Sequence, residues 1–519
     1  MTATRRGRGC SCAPSHGLVA GTQPEENHSG VVRKAAFRAA RDLRTVNDMT
    51  NRTPRQHSSS SRPFFSSAPA SCSAAPAAGG VRGASGEPAG PGASRRLRRV
   101  PRSLAAGAAL ALAALTAAPA VAAPRPFTVQ PSGSGQTVHA AAATHTDQGR
   151  GTLLSVTHLG RQSRAEVITQ AKKQGLETGT ARHGVAAYRL TYRTITPDGR
   201  PTTASGLLAV PTGSGSRPLP PVVHTHGTLS YRGYAPSVAN GPDRAVSVLY
   251  ASAGRAAIAP DYLGLGTGPG RHPYMDTRSS VSASLDMLRA AHSAAPEVGV
   301  PLARTVSLTG FSQGGQVAMA LGRELDRGAD RRFRLGMLAP VGGPYDLDGQ
   351  ELPGMFDGRI DPRAAVFYLS FFLTAQNRLH PLYHDPAEVF RAPYADWVED
   401  LFDSDHSAEE TAGKLPERIE DLLTDTWYRK LRHPSGALLE VLRANDRTCD
   451  WKPGRGVRIT LYSATGDRDV PIANTRSCGR QLASHGVRAA VVDQGADADH
   501  YASFLRSEPS IARALPVAR

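Results

Sequence analysis

Cysteine is scarce in this chain, with five residues in 519, and three of them, Cys10, Cys12 and Cys72, fall in the first hundred. A disulfide-dense scaffold is therefore excluded, and the remaining Cys449 and Cys478 suggest one bridge in an exported protein. Long apolar runs are also missing. The apolar run at residues 104–115 is shorter than a membrane span requires. An excess of one charge is absent from most of the chain as well. The formal net charge is +17, but residues through Ala122 carry 17 Lys and Arg against 5 Asp and Glu, leaving 44 basic and 39 acidic residues, about +5. So nearly balanced a body has no electrostatic footprint for nucleic acid.

Residues 1–94 are rich in Ser, Ala, Gly, Pro and Arg and lack sustained hydrophobic periodicity, so they read as disordered. Arg95, Arg96, Arg98, Arg99 and Arg102 then precede the apolar run, and Ala120-Val121-Ala122 precedes Ala123. These are the three parts of a secretory signal peptide, here at 95–122. Export machinery normally reads such a peptide at the N-terminus, so translation is expected to begin downstream, with Val81 a candidate start. The Arg95-Arg96 pair hints at twin-arginine export, but the residues after it fit that consensus poorly, and the route stays open. Residues 123–150 read as a flexible linker and 151–519 as one domain.

Within that domain the order of elements is α/β. Residues 185–211 read as a β-hairpin turning at Pro197-Asp198-Gly199. Strand and helix signals then alternate: strands at 219–225, 256–259, 305–309 and 335–341, with a helix at 280–294. That rhythm implies a largely parallel sheet flanked by helices. It fails between about 345 and 445, where helical patterns replace it, including the apolar stretch Val366 to Leu373. An inserted helical cap is the expectation, with the Phe-rich helix serving as cap core or as an acyl-binding lid. Strands resume at 457–462 and 488–493, and a last helix begins near Tyr501.

The chemistry centres on Gly310-Phe311-Ser312-Gln313-Gly314-Gly315, placed between a strand pattern and a helix pattern. A serine on such a turn is a nucleophile elbow. Because 52 residues are glycine, a bare G-x-S-x-G carries little weight, and Ser312 could instead be a helix N-cap. Context strengthens the first reading. A serine needs a histidine base, and the base needs an orienting carboxylate. Gly466-Asp467-Arg468-Asp469-Val470-Pro471 follows one late strand, and Asp499-His500 follows the next, giving the order Ser312, Asp467, His500. The D-x-x-V-P pattern selects Asp467 over Asp469, which becomes a surface or loop-capping residue. The oxyanion hole would use the backbone amides of Gln313 and of Thr228, in the His226-Gly227-Thr228 loop. His224 and His226 lie two apart on a strand, but no third ligand stands at zinc spacing, and no metal or other cofactor is expected.

These features together resemble the α/β-hydrolase superfamily, and more closely its secretory lipase family. The likeness is carried by His226-Gly227-Thr228, Pro260-Asp261-Tyr262-Leu263-Gly264-Leu265-Gly266, His272-Pro273-Tyr274, the elbow, Gly466-Asp467 with Val470-Pro471 and Asn474-Thr475, and His500. It spans the chain from about residue 151 onward. The resemblance implies the α/β-hydrolase fold with a helical cap, and an exported serine carboxylic-ester hydrolase, a lipase or an esterase, working through an acyl-enzyme. The expected partner is a small-molecule or lipid ester, with transient contact at a lipid interface as one option. Tyr262 and Tyr274 are candidates to shape the pocket. A serine aminopeptidase of the same fold, needing a charged pocket, and a noncatalytic binding protein are the alternatives.

Overall fold

Every residue of Pro221–Thr225 and of Ala256–Pro260 is buried, as expected of central strands covered on both faces. The computed structural model of the chain describes residues 149–517 apart from 214 and 216. The expected N-terminal extension, the expected signal peptide at 95–122 and the expected linker up to residue 148 lie outside the described residues.

In chain order the strands are β1 (Leu153–Gln162), β2 (Val185–Ile195), β3 (Pro201–Pro211), β4 (Pro221–Thr225), β5 (Ala256–Pro260), β6 (Thr305–Phe311), β7 (Arg334–Val341), β8 (Arg458–Ser463) and β9 (Ala490–Asp493). They form one sheet in the order β1-β2-β3-β5-β4-β6-β7-β8-β9. Pairing is antiparallel from β1 to β5 through β2 and β3, and parallel across the rest. The strand order reverses around β4, and in open sheets of this kind ligands bind beyond the carboxyl ends of strands at such a switch point. The hairpin expected over 185–211 is β2 and β3.

β1 has no counterpart in the sequence expectations. Its segment LLSVTHLGRQ does not alternate cleanly, and its pairing with β2 is interrupted by register shifts at Leu153/Ser155 and His158/Gly160. Arg150, the last residue of the expected linker, donates to Asp286 Oδ2 at 3.1 Å and to Ser282 Oγ at 2.7 Å.

The longer helices are α1 (Arg164–Lys173), α2 (Pro242–Ser252), α3 (Thr277–Ala294), α4 (Gln313–Asp326), α5 (Pro362–Asn377), α6 (Asp425–Arg432), α7 (Gly436–Asn445), α8 (Ala473–Ser484) and α9 (His500–Ala514). Ser163 caps α1 in a reciprocal capping box with Glu166. α3, α4 and α8 pack on one face of the sheet through residues such as Met287, Leu288, Leu321 and Leu482. α1, α2 and α9 cover the other through Val167, Leu249, Phe504 and Ile511. Between β7 and β8 the regular elements are helices joined by irregular segments, and they keep their own core, built on Phe371, Phe390, Phe402, Leu422 and Trp427. Each such side chain contributes roughly 2–3 kcal/mol by burial. α5 starts where Asp361 accepts from the amides of Arg363 and Ala364, with Pro362 at the first helical position.

Cys449 and Cys478 are bonded, with Cα atoms 5.2 Å apart and a sequence separation of 29. The closed loop contains β8 and the Asp467 turn and ends inside α8. Constraining a loop of that length in the unfolded chain is worth about 3–4 kcal/mol. Replacing both cysteines by alanine should lower the unfolding free energy by about that much in urea titration, with the m-value little changed. A loss under about 1 kcal/mol would show that the bridge does not constrain the unfolded chain in this way.

Candidate active site

β6 runs into α4 without a spacer, and the whole turn is made by Ser312. Its backbone sits at φ 58, ψ −126, outside the regions L-residues favour. The turn is held open by what its neighbours lack. A Cβ on Gly314 would lie 1.9 Å from the Thr225 carbonyl oxygen, and one on Gly310 would lie 2.2 Å from Thr225 Oγ1. Thr225 Oγ1 in turn donates to the carbonyls of Thr309 (3.0 Å) and Gly314 (2.7 Å), pinning β4 to the elbow. The Ser312 amide donates to Val341 at the end of β7, 2.9 Å away. Ser312 caps no backbone amide with its side chain, which weighs against the N-cap reading.

Asp467 and His500 meet beyond the ends of β8 and β9. His500 Nδ1 lies 2.7 Å from Asp467 Oδ2. The other carboxylate oxygen, Oδ1, accepts from the amides of Asp469 (3.0 Å) and Val470 (2.9 Å), so the acid is fixed at both ends. Phe311, the residue before Ser312, packs its ring 4.5 Å from the imidazole. His500 Nε2 is buried and makes no hydrogen bond. Catalytic contacts of this kind often tighten only when substrate is bound. Burial alone would push the imidazole pKa down. The charge and hydrogen bond of Asp467 oppose that, with Asp469 and Glu351 adding to them, and carry it up to about 9.

Asp469 is not the surface residue expected of it. It is half-buried, and its Oδ2 accepts from Tyr368 on α5 at 2.9 Å. The sequence could not reveal this, because the partner lies 101 residues away in the cap. Burial raises its carboxyl pKa, with Asp467 adding to the effect.

Gln313 is the first residue of α4, where backbone amides have no intrahelical acceptor. Its side chain is held by His272. Nδ1 of that ring lies 2.9 Å from the Leu263 carbonyl and donates to it, so Nε2 accepts from Gln313 Nε2 at 3.3 Å. Burial pushes the His272 pKa down to about 3, which keeps the ring neutral. Thr228 is half-buried in the loop after β4, its hydroxyl 3.0 Å from that of Tyr274. The adjoining Gly227 packs against the elbow; a Cβ there would be 3.4 Å from Ser312 Cβ.

A cavity of about 590 Å3, counting the part open to solvent, begins at Ser312, Gln313, Thr228 and Tyr274. Under the cap its walls are mainly apolar, with Leu347, Leu352, Met355, Leu369, Phe372 and Leu442 among them. α5 is thus both cap core, through Phe371, and cavity wall, through Leu369 and Phe372. Tyr262 does not reach the cavity. It is fully buried at φ 65 behind the loop, its ring 4.1 Å from that of His226 and its hydroxyl donating to the His226 carbonyl at 3.2 Å. The histidines considered for metal are turned to other partners. His224 Nε2 faces Asp243 at 3.1 Å, and the His226 ring nitrogens face the carbonyls of Gly227 and Asp261.

Two cavity groups had no signal in the sequence. Glu351 shares a short helical stretch with Asp346 and Asp348 and nothing in the pattern singles it out, and Tyr368 sits within a Phe-rich helix; both line the cavity only because the cap folds over β7 and β8. Burial raises the Glu351 pKa to about 8 despite a 2.6 Å hydrogen bond from Asn474 Nδ2.

The chain is an α/β-hydrolase in fold. Among solved structures similar to it is the rice cell wall degrading esterase LipA from Xanthomonas oryzae, at 28% identity and a TM-score of 0.61, over 70% of this chain and 97% of the esterase. A Legionella pneumophila protein whose hydrolase assignment is itself provisional matches at 24% identity and a TM-score of 0.63, over 70% and 96%. Candida antarctica lipase A matches at 14% identity and a TM-score of 0.50, over 68% and 78%. The last two bear on fold alone. No protein-family model matches the chain, and no curated protein matches it in sequence. The likeness to the esterase supports hydrolase activity.

Buried groups that hold protons more tightly in the folded chain than in the unfolded one include Glu351, from 4.5 to about 8; Glu508 on α9, from 4.5 to about 7; and His500, from 6.5 to about 9. The stability each contributes is lost as pH rises through that interval. The unfolding temperature should therefore fall between pH 5 and pH 9, and Glu508→Gln should flatten the fall below pH 7. A scan in which it rises with pH would contradict this assignment.

Proposed function

We propose that the chain is a secreted serine carboxylic-ester hydrolase that forms an acyl-enzyme on Ser312. The observation that carries this reading is the strained elbow, which presents an uncapped serine at the mouth of an apolar cavity, next in the chain to Phe311, whose ring packs on a histidine bonded to a buried carboxylate. His500 Nε2 takes the Ser312 proton as Oγ attacks the ester carbonyl, and Asp467 holds the imidazolium that forms. The amides of Gln313 and Thr228 receive the oxyanion. The proton then passes from His500 to the departing alcohol. Water repeats the sequence and frees the acid. The cavity takes the acyl group, because that arm stays attached while the alcohol must leave.

The similar esterase structure supports an ester substrate. Exposed large apolar residues among those described are Leu154, Val238, Val491, Tyr501 and Val517, all outside the cap, which favours dissolved esters over an oil interface. The leader and the Cys449–Cys478 bond support export. One observation bears on the aminopeptidase alternative, since Glu351 puts a carboxyl group in the cavity. Burial keeps that group largely protonated at neutral pH, a poor partner for an ammonium.

The test is a panel of nitrophenyl esters of rising acyl length, with peptide nitroanilides alongside. Ser312→Ala should lower ester kcat at least about a thousandfold, and Asp467→Asn nearly as much. Ester turnover that survives Ser312→Ala would sink the reading. Since the base must be neutral to act and the imidazole holds its proton up to about 9, kcat/KM should rise with pH through the alkaline range. Asp469→Asn removes a negative charge facing the imidazole and should move that limb to lower pH. A profile flat from pH 6 to 9 would show that His500 is not the base.

A further inference from the structure

The cavity is apolar except where the reaction centre opens into it and where Glu351 and Tyr368 enter it from the cap. Tyr368 spends its proton on Asp469. Glu351 is different. It is 6% exposed, and its Oε2 accepts from Asn474 Nδ2 at 2.6 Å. Asn474 cannot turn away, because its Oδ1 accepts from the Asp346 amide at 3.1 Å. No other hydrogen bond from the described residues reaches the Glu351 carboxyl group, which leaves one oxygen to be satisfied from the cavity.

A plain alkyl chain filling the cavity would expel water and strand that oxygen, which costs free energy in an apolar enclosure. A site with a buried polar group of this kind selects the substrate that pairs with it and rejects the analogue that does not. The electrostatics narrow the choice of group. A carboxylate on the acyl chain would face Asp467 and Asp469. An ammonium would meet a carboxyl that burial keeps largely protonated, with the cationic imidazole of His500 nearby. A hydroxyl suits either state, accepting from the acid and donating to the carboxylate.

We propose that Glu351 is a specificity-determining residue that hydrogen-bonds a hydroxyl on the acyl group of the substrate, so that hydroxylated acyl esters are preferred to plain ones. The inference rests on the ester-hydrolase reading and adds the substrate class.

The experiment compares nitrophenyl butanoate with its 2- and 3-hydroxy forms and with the 3-amino form, each rate corrected for the ester's spontaneous release of nitrophenol in the same buffer. Wild-type kcat/KM for the best hydroxy ester should exceed that for the plain ester about tenfold or more, carried mainly by KM. Glu351→Leu should erase the ratio, and Glu351→Gln, whose amide still hydrogen-bonds, should keep part of it. No preference in the wild type, a preference unchanged in Glu351→Leu, or a preference for the amino ester overturns the proposal. In Ser312→Ala the same esters should stabilise the protein against heat in the same order; equal stabilisation by plain and hydroxylated esters overturns it whether or not the Glu351 variants fold. Failure to hydrolyse any of these esters marks failure of the ester-hydrolase reading instead.

Discussion

The close approach of β4 to the start of α4 governs the rest of the site. With Thr225 against Gly310 and Gly314 there is no room for a Cβ, and Thr225 spends its hydroxyl on the two carbonyls it meets. That contact forces the chain from β6 into α4 through one residue, so Ser312 must take a left-handed backbone and cannot turn inward as a cap. The strain is held by packing on both sides, since β6 lies between β4 and β7 in the sheet. From it follow the exposure of the serine to the cavity and the alignment of the Gln313 amide with the first turn of α4.

A second constraint is electrostatic. His500 is surrounded by three carboxyl groups but hydrogen-bonded to only one, Asp467. The other two are tied elsewhere, Asp469 to Tyr368 and Glu351 to Asn474, so once ionised they act on the imidazole through charge without competing for its proton. Burial opposes them by penalising every charge in the cluster. The balance leaves both the imidazole and Glu351 holding protons near neutrality. Alkaline pH, which frees the base, also charges the buried acids, so activity and stability are drawn in opposite directions along the same axis.

What was legible in the sequence was what depends on neighbours along the chain. The central strands announce themselves as short apolar runs, the elbow as glycines flanking a serine between two such patterns, and Asp467 and His500 as loop residues after late strands. β1 was not legible, because an edge strand that is only partly buried need not alternate, and bulges break what alternation it has. Tyr262, a loop tyrosine that could shape a pocket or serve packing, packs beneath the His226 loop. Asp469 looked like an exposed neighbour of the chosen acid, and only the arrival of Tyr368 from α5 buries it. Glu351 carried no local signal. Cavity walls are made by elements that meet only in three dimensions, and periodicity within one element says nothing about them.

The cap is fastened to the loop that carries the acid. The Asp361 amide donates to the Arg468 carbonyl at 2.7 Å, and Arg468 Nη2 donates back to the Gly358 carbonyl at 3.1 Å. Tyr368 binds Asp469, and Asn474 binds Glu351. Each contact joins the segment after β7 to residues between β8 and the first turn of α8, on either side of Asp467. A displacement of the cap root would break several of these bonds together or drag the acid loop with it, because the groups involved have few other partners. The position of the cap, the shape of the cavity and the orientation of Asp467 toward His500 are therefore one mechanical unit. The disulfide anchors that unit from outside, since the bonded Cys449 and Cys478 enclose the same loop.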